Sequence, residues 1–310
     1  MNHYDTIIIG GGPSGLTAGI YLSRAKLKTL VLNQGAIGGQ MVLTHEIANY
    51  PGVESISGYQ LANIMKNQAK SFGTKIKSLG EITELDLQSA IKKVTIDHAE
   101  TFTADSVILA TGGRSRTLGV VGEDTFKGRG ISYCATCDGD FFTDKEIIVV
   151  GGGNSALEEA VSLTKYASKV TIVHQFDHFQ AFEHAIQEAT DHPKIDFVME
   201  STISGFYGDE KLGSVDILNL KTQQTKRKNI DGVFIFIGYV PNTEFLEGKL
   251  NRNQWGEIEV NTHMGTALAG VYAAGDCIVK KYRQVSTAVG DGTLAALSIS
   301  SYLNDLKSKN

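Results

Sequence analysis

Two stretches of the chain share one rhythm of apolar and polar positions. From Ile7, "IIIGGGPSGLTAGIYLSRAKLKTLVLNQ" runs as an apolar strand, a triple glycine, an amphipathic helix and a second apolar strand. From Ile147, "IIVVGGGNSALEEAVSLTKYASKVTIVHQ" repeats every step. The same offset separates Gly10 from Gly151 and Asn33 from His174, so the units keep register from the first turn to the end of the second strand. A short apolar run, an apolar stripe at helical spacing and another short run predict a βαβ unit with parallel, doubly buried strands. Two such units predict an α/β chain made of two doubly wound, Rossmann-like nucleotide-binding folds.

The first turn reads Gly10-x-Gly12-x-x-Gly15 and the second Gly151-x-Gly153-x-x-Ala156. Glycine lets the turn tighten and lets a pyrophosphate approach backbone N–H groups at the helix start, where the dipole favours negative charge. One such match alone is equally a tight strand–helix turn with no ligand. Two in the same context and register point to at least one dinucleotide site. "DSVILATGG" (Asp105 to Gly113) is a further strand, ending in a turn that can close over a nucleotide, and "GVFIFIGYVPN" (Gly232 to Asn242) ends the second fold. "GVYAAGDCIV" (Gly270 to Val279) has no βαβ partner of its own and is expected to rejoin the first fold. The second fold is therefore expected as an insertion, residues 114–242, between residues 1–113 and 243–310 of the other, with two linkers placed to act as a hinge.

A chain of 310 residues accommodates two such domains. Hydrophobic content of 42% and charged content of 20% are those of a globular protein, and 34 glycines against 4 prolines suit tight βα turns. A net charge of -5 speaks against a nucleic-acid partner, while a local basic patch could still dock an acidic protein. "MNHYD" passes directly into "TIIIG", too short for a signal-peptide core, and no apolar run approaches a membrane span. A cytoplasmic protein without a membrane partner is expected.

The cysteines are Cys134, Cys137 and Cys277. In a cytosolic chain, a pair separated by two residues is a redox or metal candidate rather than part of a disulfide scaffold. Zinc needs a second ligand pair, Cys277 stands alone, and no metal is expected. A Cys-x-x-Cys at or near a helix start has one thiol ready to attack a disulfide. Asp138 follows directly, where a carboxylic acid could deliver a proton to a leaving thiolate. Cys134, Cys137 and Asp138 are the candidate catalytic residues; a pair of inert core thiols is the alternative.

With these motifs in place, the chain resembles the low-molecular-weight bacterial thioredoxin reductases. The resemblance covers nearly the whole chain and is carried by "GGGPSGLTAGIY", "GGQM", "ANYPG", "ATGGRSR", "KGRGISYCATCDG", "GGGNSALEEA", "FIFIGYVPNT", "GVYAAGDC" and "YRQVSTAVGDGTLAA". It implies an FAD-binding domain in residues 1–113 and 243–310, an NAD(P)H-like inserted domain carrying a redox-active Cys134–Cys137 pair, a homodimer, and thioredoxin as the partner reduced. It implies that Gly10, Gly12, Pro13, Ser14 and Gly15 hold the FAD pyrophosphate. Asn33, with Gln34 beside it, stands where an acid often meets the adenosine ribose. Gly38, Gly39, Gln40 and Asn49 are implied on the isoalloxazine side, with Thr111 and Gly112 closing nearby. Gly275 and Asp276 are implied at the ribityl or pyrophosphate region, and Arg283, Gln284 and Val285 at the pyrimidine edge of the flavin. Cys137 is implied to face the flavin and Cys134 to attack thioredoxin, leaving Cys277 as a buried small hydrophobe. Related dithiol oxidases tend to carry a histidine after the pair, so Asp138 favours a reductase.

One departure bears on the electron donor. In NADPH-using members the second strand of the inserted domain ends in His-Arg-Arg, with another arginine a few residues on, and this cluster clamps the 2′-phosphate. Here those places read His174, Gln175, Phe176 and Gln180. Hydrogen bonds to charged groups contribute about 1.5–3 kcal/mol each, so losing even two costs about 3–6 kcal/mol, roughly a hundred- to ten-thousandfold in affinity. An NADH site wants an acid about 20 residues after the glycines, and Asp177 falls too late. The resemblance extends to a branch of the family that takes electrons singly from reduced ferredoxin. An acidic ferredoxin calls for a basic docking surface, for which Lys280, Lys281 and Arg283, or Lys226, Arg227 and Lys228, are the candidates. Ferredoxin is the leading expectation; NADPH or NADH as donor, a dithiol oxidase and a flavin-bound redox sensor are the alternatives.

Overall fold

The computed structural model describes residues 2–44 and 46–308. The chain divides into two compact units, one formed by residues up to Arg114 and from Val240 onward, the other by Ser115–Tyr239. Each is built on a mainly parallel sheet, so the fold is α/β with two Rossmann-like sheets.

The first unit begins with β1 (Asn2–Ile9), α1 (Pro13–Arg24) and β2 (Thr29–Gln34). It continues through α2 (Gly58–Ser71), β3 (Lys75–Leu79), β4 (Ile82–Asp86), β5 (Lys92–Ile96) and β6 (Glu100–Leu109). Neighbouring residues of a strand face opposite sides of the sheet, and Ile7 and Ile8 are both 0% exposed. That double burial explains the unbroken apolar run. Strands lie in the order β3-β2-β1-β6-β5-β4, parallel from β3 to β6 and antiparallel beyond. Ser57 starts α2 with a capping box: its side chain accepts from the Gln60 amide while the Gln60 side chain takes the Ser57 N–H.

The chain leaves by β7 (Gly113–Ser115) and enters α3 (Glu123–Phe126), β8 (Ile131–Ser132) and the short α4 (Ala135–Asp138). There follow β9 (Glu146–Val150), α5 (Asn154–Leu163), β10 (Lys169–Val173), α6 (Glu183–Thr190) and β11 (Ile195–Val198). Strands β12 (Ser201–Gly208), β13 (Leu212–Asn219) and β14 (Thr225–Asn229) form an antiparallel sheet of their own. β15 (Gly232–Ile235) then returns to the parallel sheet, ordered β11-β10-β9-β15-β8. Alternation along β9 sorts its side chains: Ile147 and Val149 join Leu157, Leu163 and Phe234 in one core, while Ile148 and Val150 join Ile203, Phe206 and Val215 in the other.

β16 (Tyr239–Pro241) leads back, β17 (Val271–Ala273) pairs in parallel with the end of β6, and α7 (Val285–Ser308) closes the first unit against α1. Among the described residues no helix is long and apolar enough to cross a membrane. Cys277 is free and 0% exposed in the core of the first unit, the small-hydrophobe role expected of it.

Glycine is required where helix meets strand. A Cβ on Gly15 would lie 1.9 Å from the Gly10 carbonyl oxygen. Gly15→Ala therefore has to push α1 off β1, and overpacking of this kind costs about 1–3 kcal/mol. Urea unfolding should show the midpoint drop; an unchanged midpoint would mean that α1 is free to slide.

Candidate active site

The dithiol is placed by the end of one strand and the start of one short helix. Ser132 is the last residue of β8, with its backbone paired to Phe234 of β15. Cys134 then takes an extended conformation as the N-cap of α4, and its Sγ accepts from the Cys137 amide at 3.2 Å. Cys134 and Cys137 are joined in a disulfide with Cα atoms 5.3 Å apart. An amide aimed at Cys134 Sγ stabilises the thiolate once the bond is reduced, the condition that makes one thiol of such a pair the attacking one.

Asp138 ends the same turn. Burial pushes its carboxyl above the ordinary carboxylate range, a hydrogen bond from Ser132 opposes the rise, and the Asp140 charge adds to it. A carboxyl raised in this way holds its proton to higher pH than a free one and is suited to carry a proton. The structure thus brings Cys134, Cys137 and Asp138 into one turn.

Three further residues belong to this turn and carry no sequence signal. Ser132 Oγ donates to Asp138 Oδ2 at 2.6 Å and accepts from the Cys134 amide at 3.1 Å. Tyr133, next to Cys134, donates its hydroxyl to Glu123 Oε1 at 2.6 Å. Glu123 is itself 3% exposed and also accepts from the amides of Leu118 and Gly119. Only a non-local contact reveals such a clasp.

In the first unit the glycine turn forms an open cradle. Pro13 occupies the start of α1 with no side chain capping it, and a Cβ on Gly12 would meet nothing within 4 Å. A Cβ on Gly39 would come 3.4 Å from Gly12 Cα, and one on Gly275 would come 2.9 Å from Ser14 Cβ. Gly38 lies tight against Ala62. Gly10, Gly12, Pro13, Ser14, Gly15, Gly38, Gly39, Gly275 and Asp276 are therefore gathered around one helix start. Ser14 Oγ and Asp276 Oδ1 are buried there without a hydrogen-bond partner. Buried polar groups in native proteins are rarely left so. Burial, the largest influence, raises the Asp276 carboxyl; Lys280 and Arg283 pull it down and Asp291 pushes it up.

The remaining candidates are distributed around this cradle. Asn33 is buried, and its Oδ1 accepts from the Gly11 amide at 2.7 Å while its Nδ2 donates to the carbonyls of Gln34 and Gly35. It braces the turn itself, and Gln34 is exposed. Gln40 is exposed as well, and Asn49 donates to Gln284 Oε1 at 3.4 Å. The carbonyls of Thr111 and Gly112 accept from the side chain and amide of Asn242. Arg283 is ion-paired with Glu257, Val285 begins α7, and Lys280 pairs with Asp291 at 2.5 Å. Asp291 also accepts from the Gly275 amide at 3.2 Å, a tie that sequence reading missed.

At the second glycine turn His174 takes the place that Asn33 holds in the first. His174 is 5% exposed, and a Cβ on Gly152 would sit 2.3 Å from its Nδ1. Its ring stacks on Phe179 and meets Phe176 edge-on. The Gln180 amide donates to the Gly152 carbonyl, and the Phe182 amide to Asn154 Oδ1 at the start of α5. Asp177 is paired with His178. The basic runs are also reduced in charge, since Lys280 and Arg283 face Asp291 and Glu257, and Arg227 is held by Asp216.

A disulfide with a buried carboxyl in its turn, in a chain with two Rossmann-like folds, is the arrangement of a disulfide oxidoreductase. The family model for pyridine nucleotide-disulphide oxidoreductases matches residues 4–292. A thioredoxin reductase of Peptoclostridium acidaminophilum is 44% identical over 309 residues, 97% of this chain and 98% of that one. A 34.2 kDa protein in a rubredoxin operon of Clostridium pasteurianum is 42% identical over 299 residues, covering 96% and 97% of the two chains. The crystal structure of thioredoxin reductase from Streptococcus pyogenes superposes with a TM-score of 0.94 at 40% identity, over 98% of this chain and 99% of that one. The chain belongs to the pyridine nucleotide-disulphide oxidoreductase family, and within it to the low-molecular-weight thioredoxin reductases, which are flavin disulfide oxidoreductases.

Stripped of any bound nucleotide, Asp276→Asn should be more stable than the parent at neutral pH. The folded-state carboxyl is raised, so ionising it costs stability above that value, and the cost disappears as pH falls towards the unfolded value of about 3.9. The gain should shrink over the same interval, followed by thermal unfolding against pH. A variant less stable than the parent at neutral pH would show that Lys280 and Arg283 already satisfy Asp276.

Proposed function

We propose that the protein is a thioredoxin-disulfide reductase that binds FAD in its first unit and takes its electrons from reduced ferredoxin. The observation that carries the reductase reading is the Cys134–Cys137 disulfide with the Cys137 amide on Cys134 Sγ and Asp138 in the same turn. FAD fits the cradle on the chemistry of its donors: open N–H groups at the start of α1, Ser14 Oγ and Asp276 Oδ1 left for a ligand, and a glycine where the pyrophosphate comes closest. Bound there, FAD accepts electrons singly or in pairs and passes a pair to a disulfide. Asn33 holds the turn in shape, and Asn49, Arg283, Gln284 and Val285 line the approach to α7. The same assignment makes the protein a homodimer, with Leu294 and Leu297 of α7 among the apolar side chains exposed on a single chain.

In disulfide exchange Cys134 is the attacking thiolate and Cys137 the resolving thiol. Cys137→Ser should therefore trap a mixed disulfide between Cys134 and a bacterial thioredoxin, visible as a combined mass on a non-reducing gel. Cys134→Ser should trap nothing. A trapped adduct with Cys134→Ser and none with Cys137→Ser would reverse the two roles.

The donor assignment rests on the second glycine turn. A 2′-phosphate needs cations, and Gln175, Phe176 and Gln180 stand where the family's arginines do. Asp177 is committed to His178, which leaves the NADH alternative without its acid. A relative found in a rubredoxin operon is in keeping with an iron-protein electron carrier as donor. Docking through the two lysine–arginine runs receives less support, because Lys280, Arg283 and Arg227 each face an acid. The protein should show no saturable NADPH binding in the micromolar range, while reduced ferredoxin should bleach the flavin absorbance readily. Gln175→Arg, Phe176→Arg and Gln180→Arg together should restore NADPH binding in preference to NADH, and the gain should fade as salt rises. Rapid bleaching of the parent by NADPH would overturn the ferredoxin assignment.

A further inference from the structure

We propose that Ser132 is a positioning residue for disulfide exchange, its hydroxyl holding the Asp138 carboxyl beside the dithiol and tying it to the Cys134 backbone. This rests on the proposed reductase reading, with Asp138 as the proton carrier of the exchange. Ser132 is 4% exposed and fixed at the end of a sheet strand, so its hydroxyl has a defined place. That oxygen accepts from the Cys134 amide at 3.1 Å and has its single proton for two acceptors, Asp138 Oδ2 at 2.6 Å and the Cys134 carbonyl at 3.3 Å. A hydroxyl can rotate between acceptors. It can donate to the carboxyl when Asp138 is ionised and turn to the carbonyl when Asp138 carries the proton. Both states of Asp138 are therefore accommodated without moving the backbone.

The exchange needs both states. The Cys134 thiolate attacks one sulfur of the target disulfide; the target S–S bond breaks, a Cys134–target bond forms, and the leaving sulfur takes the proton held by Asp138. The resulting carboxylate is stabilised by the Ser132 O–H. It then takes the Cys137 proton as Cys137 attacks Cys134 Sγ, re-forming the Cys134–Cys137 bond and expelling the second target sulfur as a thiolate. Two electrons pass from the dithiol to the target.

The groups around Asp138 are few. Asp140 on the following turn is the charge that acts on it. On α5, packed against α4, the carboxyls are Glu158 and Glu159, and β15 beside β8 carries no ionisable residue. Towards Tyr133 lie Glu123 and Lys127, the latter over the tyrosine ring. Among these the Ser132 hydroxyl is the one partner that favours the ionised carboxyl. Its removal should leave the proton on Asp138 to higher pH.

The test uses the pre-reduced holoprotein and bis(2-hydroxyethyl) disulfide, a small probe whose leaving thiolate needs a proton. Single-turnover rates are measured against pH for the parent, Ser132→Ala, Ser132→Thr, Asp138→Asn and the Ser132→Ala/Asp138→Asn double variant. Asp138→Asn should slow exchange by roughly a hundredfold or more and abolish the alkaline limb, the contribution of a positioned proton donor being about 10²–10⁴. Ser132→Ala should slow it by roughly tenfold, a part of that contribution, and move the limb to higher pH. Ser132→Thr should restore both, and the double variant should match Asp138→Asn alone. If Ser132→Ala does not fold, Ser132→Val set against Ser132→Thr isolates the hydroxyl at constant shape. An effect of Asp138→Asn with parent-like rates and limb in Ser132→Ala overturns the role of Ser132 alone. Parent-like behaviour of Asp138→Asn overturns the proton carrier, and with it the positioning role.

Discussion

The first unit depends on a helix being allowed to start in contact with the strand before it. The Gly10 carbonyl oxygen occupies the place a Gly15 side chain would need, and the Ser14 carbonyl does the same to Gly292 of α7. Backbone thus meets backbone at Ser14 from two directions, with the Gly275 turn pressed against its side chain as a third. Close approach strips water from Ser14 and Asp276 without supplying protein partners for their oxygens. An uncompensated buried hydroxyl or carboxyl costs roughly 1–3 kcal/mol or more, a cost that a ligand bringing its own hydrogen-bonding groups would offset. The same few glycines thus set both the packing and the unmet hydrogen-bonding groups.

The second unit repeats this geometry with different side chains. Ala156 replaces the third glycine of the motif and lies against Gly151. The chain after β10 then folds back over the turn: His174 fills the space beside Gly152, Gln180 donates to its carbonyl, and Asn154 caps the returning Phe182 amide. The first turn is braced in the same way, its Gly11 carbonyl accepting from the Gly38 amide and its Gly11 amide donating to Asn33. The motif here forms a strand–helix joint beside the five-stranded sheet.

Much of the fold was legible because it is written in local order. The constant offset between the two glycine turns shows a repeat before any strand is assigned, and runs such as Ile7–Ile9 and Ile147–Val150 can be buried on both faces only in a parallel sheet. Cys134, Cys137 and Asp138 were legible because one turn of chain contains them all. What escaped depends on partners far apart in sequence. Glu123 receives Leu118, Gly119 and Tyr133 through one buried carboxyl, and Asp291 ties Lys280 to the Gly275 amide. The lysine and arginine runs are partly legible for the same reason, since a run of charge shows its sign and hides the acids that Lys280, Arg283 and Arg227 face. Asn33 was placed correctly at the end of β2, but its side chain turned to the Gly11 amide, a choice between polar partners that composition does not encode.

Cys277 gives the molecule an internal gauge. Its sulfur is sealed at 0% exposure against the carbonyls of Leu109 and Ala274, and burial raises its thiol well above the ordinary range. Thiolate, not thiol, is the reactive form, so this cysteine is silent to alkylating reagents for as long as the first unit stays closed. Labelling of the native protein then reports Cys134 and Cys137 alone and reads the oxidation state of the dithiol without correction. A third label marks opening of the first unit's core, so one chemical titration separates a redox event from a loss of structure.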